Sequence, residues 1–372
     1  MVELPPTPEN SDAPEGWSGP DPITYLKRFD YPTWFELPRE TKRFRLGSSL
    51  DRTVCDLHLS VSGVSQVHCI FERRSGQLRV IDQASINGIV VDGYRSLPEG
   101  WLSPGKRVTV RPVTLLAYND EMYRERPLIA QITGTDPRLM PSGELRNDPL
   151  VGATVDNLMA RATTPGMGYL ITGDIGCEQE ELARALHAIS LRRNRAPVLC
   201  ERLPELREEQ KALLQKAEDS TLIIALPDDH AVVDRAFRAM LASTDYRVTV
   251  MLLASQSVVA ERLLPELTRT MEVIALRPLA HRLSDVEPLF DEIMDKYLSK
   301  LQLSMLPDRD QVAIRRYNWD SNYKHVGNLA ELRRFVAEYA AVRQHGSIDR
   351  AAKALELDRD RLRYHFQKIG IR

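Results

Sequence analysis

Tyr169–Ser190 reads YLITGDIGCEQEELARALHAIS, and this stretch decides the fold class of the middle of the chain. Gly168–Thr172 reads as a strand, a turn with two glycines follows, and Glu178–Ser190 reads as a helix with Leu182, Leu186 and Ile189 on one face. Further out, Thr221–Leu226 and Val248–Ala254 are continuous apolar runs, the pattern of parallel strands covered on both faces. Helices alternating with such strands over residues 149–280 predict an α/β layer. From Ser284 onward the pattern is helical, with a helical segment over 281–324 and a last domain over 325–372.

The chemistry of the turn is unusual for its shape. A strand, a Gly-rich turn and a helix can cradle a triphosphate on backbone N–H groups, provided a Lys reaches the β- and γ-phosphates. Here Glu178 takes the last Gly position, Gln179 takes the Lys position, and Glu180 and Glu181 add negative charge. Such a loop repels a triphosphate, and charge stabilisation is most of phosphoryl-transfer catalysis.

Residues 35–119 have another texture. Phe44-Arg45-Leu46, Gln77–Ile81 and Arg107–Val110 alternate, and Ser75-Gly76, Asn87-Gly88, Asp92-Gly93 and Pro104-Gly105 mark turns. This predicts a β-sandwich. Residues 120–148, with Pro127, Pro137, Pro141 and Gly143, read as a linker. Residues 1–34 are expected to be a disordered tail, with six Pro, five acids and no Lys or Arg over 1–22. Thr7-Pro8 within it could accept a phosphate, although a solvated tail is the plainer reading.

At the other end, Asn328–Arg343 spaces Leu329, Leu332, Val336 and Tyr339 as one helical face, and Gly346 ends it. A short helix over Ile348–Leu355, a turn through Glu356-Leu357 and a final helix capped by Asp358 make a helix-turn-helix. Leu362, Phe366 and Ile369 form the inner face of the final helix. Arg359, Asp360, Arg363, Tyr364, Gln367 and Lys368 form the outer face, flanked by Arg361 and His365. Arg and Gln can read base edges, and Lys and Tyr suit phosphates. The plainer reading is a small bundle with a solvated basic face. Leu332 and Val336 fit a dimer seam and an intradomain core equally well.

Composition narrows the function. The 372 residues carry a net charge of −2 and are 43% apolar, an ordinary globular mixture. Lys324–Arg372 holds 11 Lys and Arg against 6 Asp and Glu, a net of +5, so residues 1–323 carry −7. No apolar run approaches the ~18 residues of a membrane span, and no secretory signal is visible. Cys55, Cys69, Cys177 and Cys200 form no C-x-x-C pair, which fits a reducing, cytoplasmic setting. Asp228, Asp229, His230 and Asp234 could ligate a metal but read better as a loop and a helix N-terminus. There is no H-E-x-x-H pair and no G-x-S-x-G elbow. No metal and no cofactor is expected.

Two resemblances sharpen these expectations. GSIDRAAKALELDRDRLRYHFQKIGI resembles the Fis-type helix-turn-helix that ends bacterial enhancer-binding proteins, the sigma-54 activators, with Ala351, Ala352, Leu355, Leu357, Leu362, Phe366 and Gly370 at the family's structural positions. The resemblance implies a homodimer or higher oligomer, formed through the preceding helix, on palindromic DNA. YLITGDIGCEQEELARALHAIS resembles the P-loop of that family's AAA+ domain. AEDSTLIIAL is similar to its Walker B strand, with Ala225 and Leu226 where Mg²⁺-holding acids belong. VTVMLLASQ is similar to its sensor strand, with Gln256 in place of Asn. GNLAEL is similar to its second sensor, with Ala330 in place of Arg. ALRPLAHRLSDVEPL is similar to its strand-to-lid junction. Only 23 residues separate Val198 from Leu222, too few for the family's sigma-engaging GAFTGA loop.

Residues 44–111 resemble a forkhead-associated (FHA) domain, with Gly47, Ser65, His68, Ser85, Asn87 and Gly88 in the family's spacing. The resemblance implies a phosphothreonine peptide held by a Ser hydroxyl and an Arg, with the Asn on the peptide backbone and the His supporting the loop. Ser48 stands at the Arg position, and Gln66 replaces a basic residue. Arg45 or Arg52 could substitute. The expected fold is therefore multidomain: an FHA-like β-sandwich, a degenerate AAA+-like α/β domain without ATPase activity, and an all-α helix-turn-helix. The expected protein is a cytoplasmic, nucleoid-associated transcription regulator. The alternatives are a phosphothreonine-dependent scaffold and an unusual ATP-dependent activator.

Overall fold

The computed structural model describes residues 22–29, 33–38, 41–74, 77–93, 98–134, 155–227, 233–243, 246–320 and 327–371. Residues 135–148 of the expected linker, Thr7-Pro8, Asp228, Asp229 and His230 lie outside them. The chain divides into two compact units: Met1–Pro127 with Pro141–Met167 and Leu186–Arg193, and Leu128–Met140 with Gly168–Ala185 and Asn194–Arg372.

The first unit is a sandwich of ten strands: β1 (Tyr25–Arg28), β2 (Trp34–Glu36), β3 (Arg43–Gly47), β4 (Leu57–His58), β5 (Cys69–Arg74), β6 (Gln77–Asp82), β7 (Ile89–Val91), β8 (Glu99–Leu102), β9 (Arg107–Val110) and β10 (Val113–Tyr118). They form two five-stranded sheets, ordered β2-β1-β10-β9-β7 and β4-β3-β5-β6-β8. The alternating residues fill the space between them: Phe44, Leu46, Leu78, Val80, Val108 and Val110 are all buried. Phe44 stacks on Phe71 across the β3–β5 pair at 5.4 Å.

The sandwich starts earlier than the expected boundary at residue 35. β1 pairs antiparallel with β10, Tyr25 opposite Tyr118 and Arg28 opposite Leu115. The Pro and acid bias of residues 1–22 hides a strand that begins directly after it. Its alternation is also lost, because Leu26 and Lys27 are both buried. Leu26 joins the sandwich core. Lys27 meets α2 (Val155–Ala162), where its Nζ lies 2.6 Å from Asp156 Oδ2. Asp156 Oδ1 also accepts from Tyr118 OH (3.0 Å) and Arg126 Nε (3.3 Å).

Part of the expected linker is helix. α1 (Asp120–Thr133) contains Pro127 on its exposed side, and it is held by the burial of Met122, Ile129, Ala130 and Ile132. That burial overrides the proline's cost of roughly 3 kcal/mol. Gly134, at φ +63°, ends the helix. The buried Arg282 guanidinium donates to the last-turn carbonyls of Gln131 and Ile132, both at 3.1 Å.

The second unit is built on a parallel sheet of β11 (Tyr169–Thr172), β12 (Val198–Cys200), β13 (Thr221–Ala225), β14 (Thr249–Ala254) and β15 (Glu272–Ala275), in the order β12-β13-β14-β11-β15. The apolar runs are its inner strands, and every residue of β14 and β11 is buried. Around it run α3 (Gln179–Ile189), α4 (Arg207–Lys216), α5 (Arg235–Ala242), α6 (Ser257–Leu263) and α7 (Pro265–Thr268). Asp234 caps α5 through the amides of Ala236 and Phe237, the helix N-terminus role expected of it. Helices then follow: α8 (Val286–Asp295), α9 (Asp308–Arg316), α10 (Asn328–His345), α11 (Ile348–Ala354) and α12 (Arg359–Ile369).

α10 is the centre of this helical part. Leu332 and Val336 are both fully buried within the single chain, which decides for core and against a dimer seam at these residues. Phe335 packs among Trp319, Tyr339 and Phe366, and Tyr339 also meets Phe290.

The buried Asp156 carboxylate yields a stability prediction. Asp156→Asn removes the charge that Lys27 and Arg126 share in a site closed to water. Breaking such a contact costs about 3 kcal/mol or more. Urea unfolding followed by tryptophan fluorescence should show that loss; a loss under ~1 kcal/mol contradicts the role given to Asp156.

Candidate functional site

Three loops of the sandwich converge on Ser65. Its carbonyl accepts from Ser48 N (2.9 Å) and its hydroxyl oxygen accepts from Ile86 N (3.3 Å). Ser49 N bonds Gln66 O (3.3 Å), so the segment after β3 lies flat on the segment before β5. Gly47 permits this approach: a Cβ there would stand 2.0 Å from Gln66 O. His68 is fully buried beneath. Its Nδ1 accepts from Ser65 N (3.2 Å), which places the proton on Nε2, within 3.1 Å of Gly88 O. Asn87 Nδ2 donates to Gly63 O (2.8 Å), leaving its exposed carbonyl oxygen for a ligand N–H. Ser85 is turned away, donating its hydroxyl to Asp82 Oδ1 (2.5 Å).

Ser48, Ser65, Asn87 and Gly88 thus share one face, with Gly47 below. Arg45 does not join them. Its Nε lies 3.1 Å from Asp56 Oδ2 and its Nη1 donates to Thr53 O (2.8 Å). The hydrogen bond to Asp56 raises the Arg45 pKa, so this cation is committed to its own loop. Sequence reasoning passed over Leu50 and Ile86, which stand 82% and 88% exposed on the loops that meet Ser65. Their only sequence signal was apolarity in a turn.

In the second unit, a cleft of about 430 Å³ opens at the carboxyl ends of β11, β13 and β14, lined by Gly173, Gly176, Gln179, Ala225, Leu226 and Ala330 among others. The five residues expected at nucleotide positions come to one place: Glu178 on the loop, Gln179 at the start of α3, Ala225 and Leu226 at the end of β13, and Ala330 on α10. Gln179 Nε2 donates to Gly173 O (2.9 Å) and Ala254 O (2.8 Å), tying the loop to β14. Glu178 adopts φ +61° and its side chain is 8% exposed. Its Oε2 pairs with Arg333 Nε of α10 at 2.8 Å. Burial raises the Glu178 pKa, with Arg333 acting in the opposite direction.

The first turn of α10 is bonded to the same loop. Asn328 is fully buried; its Nδ2 donates to Ile175 O (2.9 Å) and its Oδ1 accepts from Leu279 N (2.9 Å). Ala330 N donates to Gly176 O (3.1 Å). Arg333 carried no recognisable motif, because it acts by position alone, and Asn328 lay inside GNLAEL without a role of its own being expected. Cys177 is buried beside Asp174, and burial pushes its thiol up to about 11, so it is not a reactive thiol.

At the C-terminus, Asp358 caps α12 through the amides of Asp360 and Arg361, and Leu362, Phe366 and Ile369 face inward. Arg359, Asp360, Arg361, Tyr364 and Gln367 are exposed, and Arg363 is half-buried. Arg359 Nε pairs with Asp349 of α11 at 2.7 Å. Lys368 departs from the expected open face. Its ammonium meets the buried Glu331 carboxylate of α10 and lies 5.6 Å from the Tyr317 ring centroid. His365 likewise meets Glu338 at 2.9 Å. The sequence pattern put Lys368 on the outer face and His365 at its flank, and in the structure both are paired with carboxylates of α10.

Residues 44–111 match the FHA domain family and form an FHA domain. The match spans β3 to β9, and β1, β2 and β10 extend the sandwich beyond it. No curated protein matches the chain. Among solved structures, the chain is similar to Mycobacterium tuberculosis EmbR in complex with a low-affinity phosphopeptide, at 20% identity and a TM-score of 0.24, over 26% of this chain and 24% of that one. It is similar to the FHA domain of the CT664 protein from Chlamydia trachomatis at 23% identity and a TM-score of 0.23, over 25% of this chain and 94% of that one. It is similar to NtrX from Brucella abortus in complex with ATP at 19% identity and a TM-score of 0.37, over 68% of this chain and 73% of that one.

The Glu178 environment sets a pH dependence. A carboxyl whose pKa is raised in the folded chain binds its proton more tightly there than in the unfolded chain. Its contribution to stability is therefore largest at low pH and is lost as pH rises from about 4.5 through the folded value. Thermal unfolding of the wild type and Glu178→Gln across pH 4 to 7 should show the wild type losing ground as pH rises. A difference that is flat or grows with pH contradicts the assignment.

Proposed function

We propose that this chain is a DNA-binding transcription regulator that works without ATP hydrolysis, and that its FHA domain takes a phosphothreonine peptide from a protein partner. The observation that carries the DNA reading is the face of α12. Arg361, Tyr364 and Gln367 stand exposed on a helix whose cap and inner face fix its orientation. Arg and Gln on such a helix can make paired contacts to base edges in a major groove, and Tyr can meet a phosphate. Arg350 and Lys353 are exposed on the preceding α11 and add positive charge that suits the flanking backbone.

The nucleotide reading is weakened by what occupies the cleft. Gln179 spends its amide on two protein carbonyls and brings no charge. Ala225, Leu226 and Ala330 offer neither a metal-holding acid nor a phosphate-binding cation. Glu178, Glu180 and Glu181 put carboxylates where phosphates would approach. The FHA domain by itself also favours a second reading, a phosphothreonine-dependent scaffold with no nucleic-acid partner.

Binding of the full chain to a pool of its own genomic fragments at physiological salt separates these readings. The regulator reading expects a few discrete sites, with millimolar MgATP leaving the binding unchanged. Arg361→Ala and Gln367→Ala should each cost about 1–3 kcal/mol of specific binding with the unfolding midpoint preserved. Lys368→Ala should instead lower stability, because the buried Glu331 carboxylate loses its nearest cation. Recovery of no selective site, or undiminished specific binding by both face variants, contradicts the DNA role of α12.

A further inference from the structure

We propose that Arg52 is the cation that grips the peptide phosphate beside Ser65, replacing the arginine that the family places at the position of Ser48. This inference rests on the phosphothreonine reading of the FHA domain and names how that site works when its usual cation is missing. Elimination carries the first step. Of the two arginines after β3 begins that could reach this face, Arg45 is bound to Asp56 and Thr53. Arg52 is exposed and makes no hydrogen bond or ion pair among the described residues.

The geometry of the loop carries the second step. Ser48 and Ser49 are fastened to Ser65 and Gln66 by backbone hydrogen bonds. Asp51 N then donates to Ser49 Oγ (3.2 Å). A tight turn begins at Asp51, whose carbonyl accepts from Val54 N and Cys55 N, both at 2.9 Å. Arg52 is the first residue inside that turn, three positions from a segment bonded to the Ser65 loop. The one acid beside it is spent locally: the Asp51 carboxylate accepts from Thr53 N (2.8 Å) and Thr53 Oγ1 (2.7 Å), and these bonds hold its pKa below the usual range. The turn thus offers a guanidinium that pairs with no carboxylate among the described residues, on a loop tied to a face whose hydroxyls belong to Ser48 and Ser65. A guanidinium suits a phosphate better than an ammonium, because its planar fork can bond two phosphate oxygens at once.

Arg111 supplies an internal control. It is also exposed and without a partner among the described residues, and its carbonyl oxygen lies 3.6 Å from where a Cβ on Gly63 would stand, on the Asn87 side of the face. If only the general positive field matters, Arg111 and Arg52 contribute alike. If Arg52 grips the phosphate, their effects differ.

The test is fluorescence anisotropy of the full chain with a degenerate peptide library fixed at phosphothreonine, and with its unphosphorylated counterpart. Wild type should prefer the phosphorylated library, and Ser65→Ala should abolish that preference. Arg52→Ala should weaken binding about tenfold or more, Arg52→Lys should recover part of it, and Arg111→Ala should change it less than about threefold. Arg52→Ala binding as tightly as wild type, while Ser65→Ala does not bind, overturns the assignment and leaves the phosphothreonine reading standing. Equal losses in Arg52→Ala and Arg111→Ala overturn it in favour of a diffuse field. No preference of the wild type for phosphothreonine overturns the phosphothreonine reading and this inference with it.

Discussion

The second unit turns on the closure of one loop by the first turn of α10. A backbone that runs from a central strand through Gly173 and Gly176 into a helix leaves N–H and C=O groups without regular partners. In a nucleotide-binding loop of this shape, phosphate oxygens take up the amides. Here the carbonyls are met from within the chain: Ile175 by Asn328, Gly176 by Ala330, and Gly173 by Gln179. Asn328 can do this because Asn tolerates the left-handed conformation it adopts, φ +53°, and carries both a donor and an acceptor on one short side chain. α10 then carries Glu331 and Glu338, which hold Lys368 and His365 of α12. A continuous set of contacts thus runs from the loop after β11 through α10 to the final helix.

Buried charge recurs in this molecule, and its effect is geometric. Glu178 with Arg333, Glu331 with Lys368, Asp156 with Lys27 and Arg282 with Asp285 all place ions where water is scarce. Desolvation offsets most of the attraction in such pairs, and the raised pKa values of Glu178 and Asp285, with burial as the leading cause, record that cost. What each pair fixes is register: an ion in a dry site excludes every arrangement that leaves it without a partner. In the sandwich the same logic seats α2 on β1 and β10. In the helical part it seats α12 on α10.

Much of this was legible in the residues. Alternation in Phe44-Arg45-Leu46 and the continuous runs at β13 and β14 translate directly into one-sided and two-sided burial. The Asp358 cap and the Leu362, Phe366 and Ile369 face need only local rules. The misreadings share one cause. β1, the helix α1 and the position of Lys368 all depend on a distant surface covering a side that local pattern takes to be open. Lys27 in a strand and Pro127 in a helix argue against those elements until Asp156 and the buried face of α1 are in place. The site behaves likewise. Ser65, Asn87 and His68 were legible through the resemblance to FHA domains, whereas the commitment of Arg45 to Asp56, and of Arg333 to Glu178, depends on contacts between segments that share no motif.

The most direct test of the closed loop is amide hydrogen exchange across Gly173–Gln179 and Gly327–Arg333 in the full chain, with and without millimolar MgATP. If the loop is held by Asn328, Gln179 and Arg333, the Ala330 amide, bonded to Gly176 O at 3.1 Å, exchanges slowly and at the same rate in both conditions. Faster exchange at Ala330 in the absence of nucleotide, with protection appearing on addition of MgATP, would show a loop that still waits for phosphate and would contradict the closure on which the reading of the second unit is built.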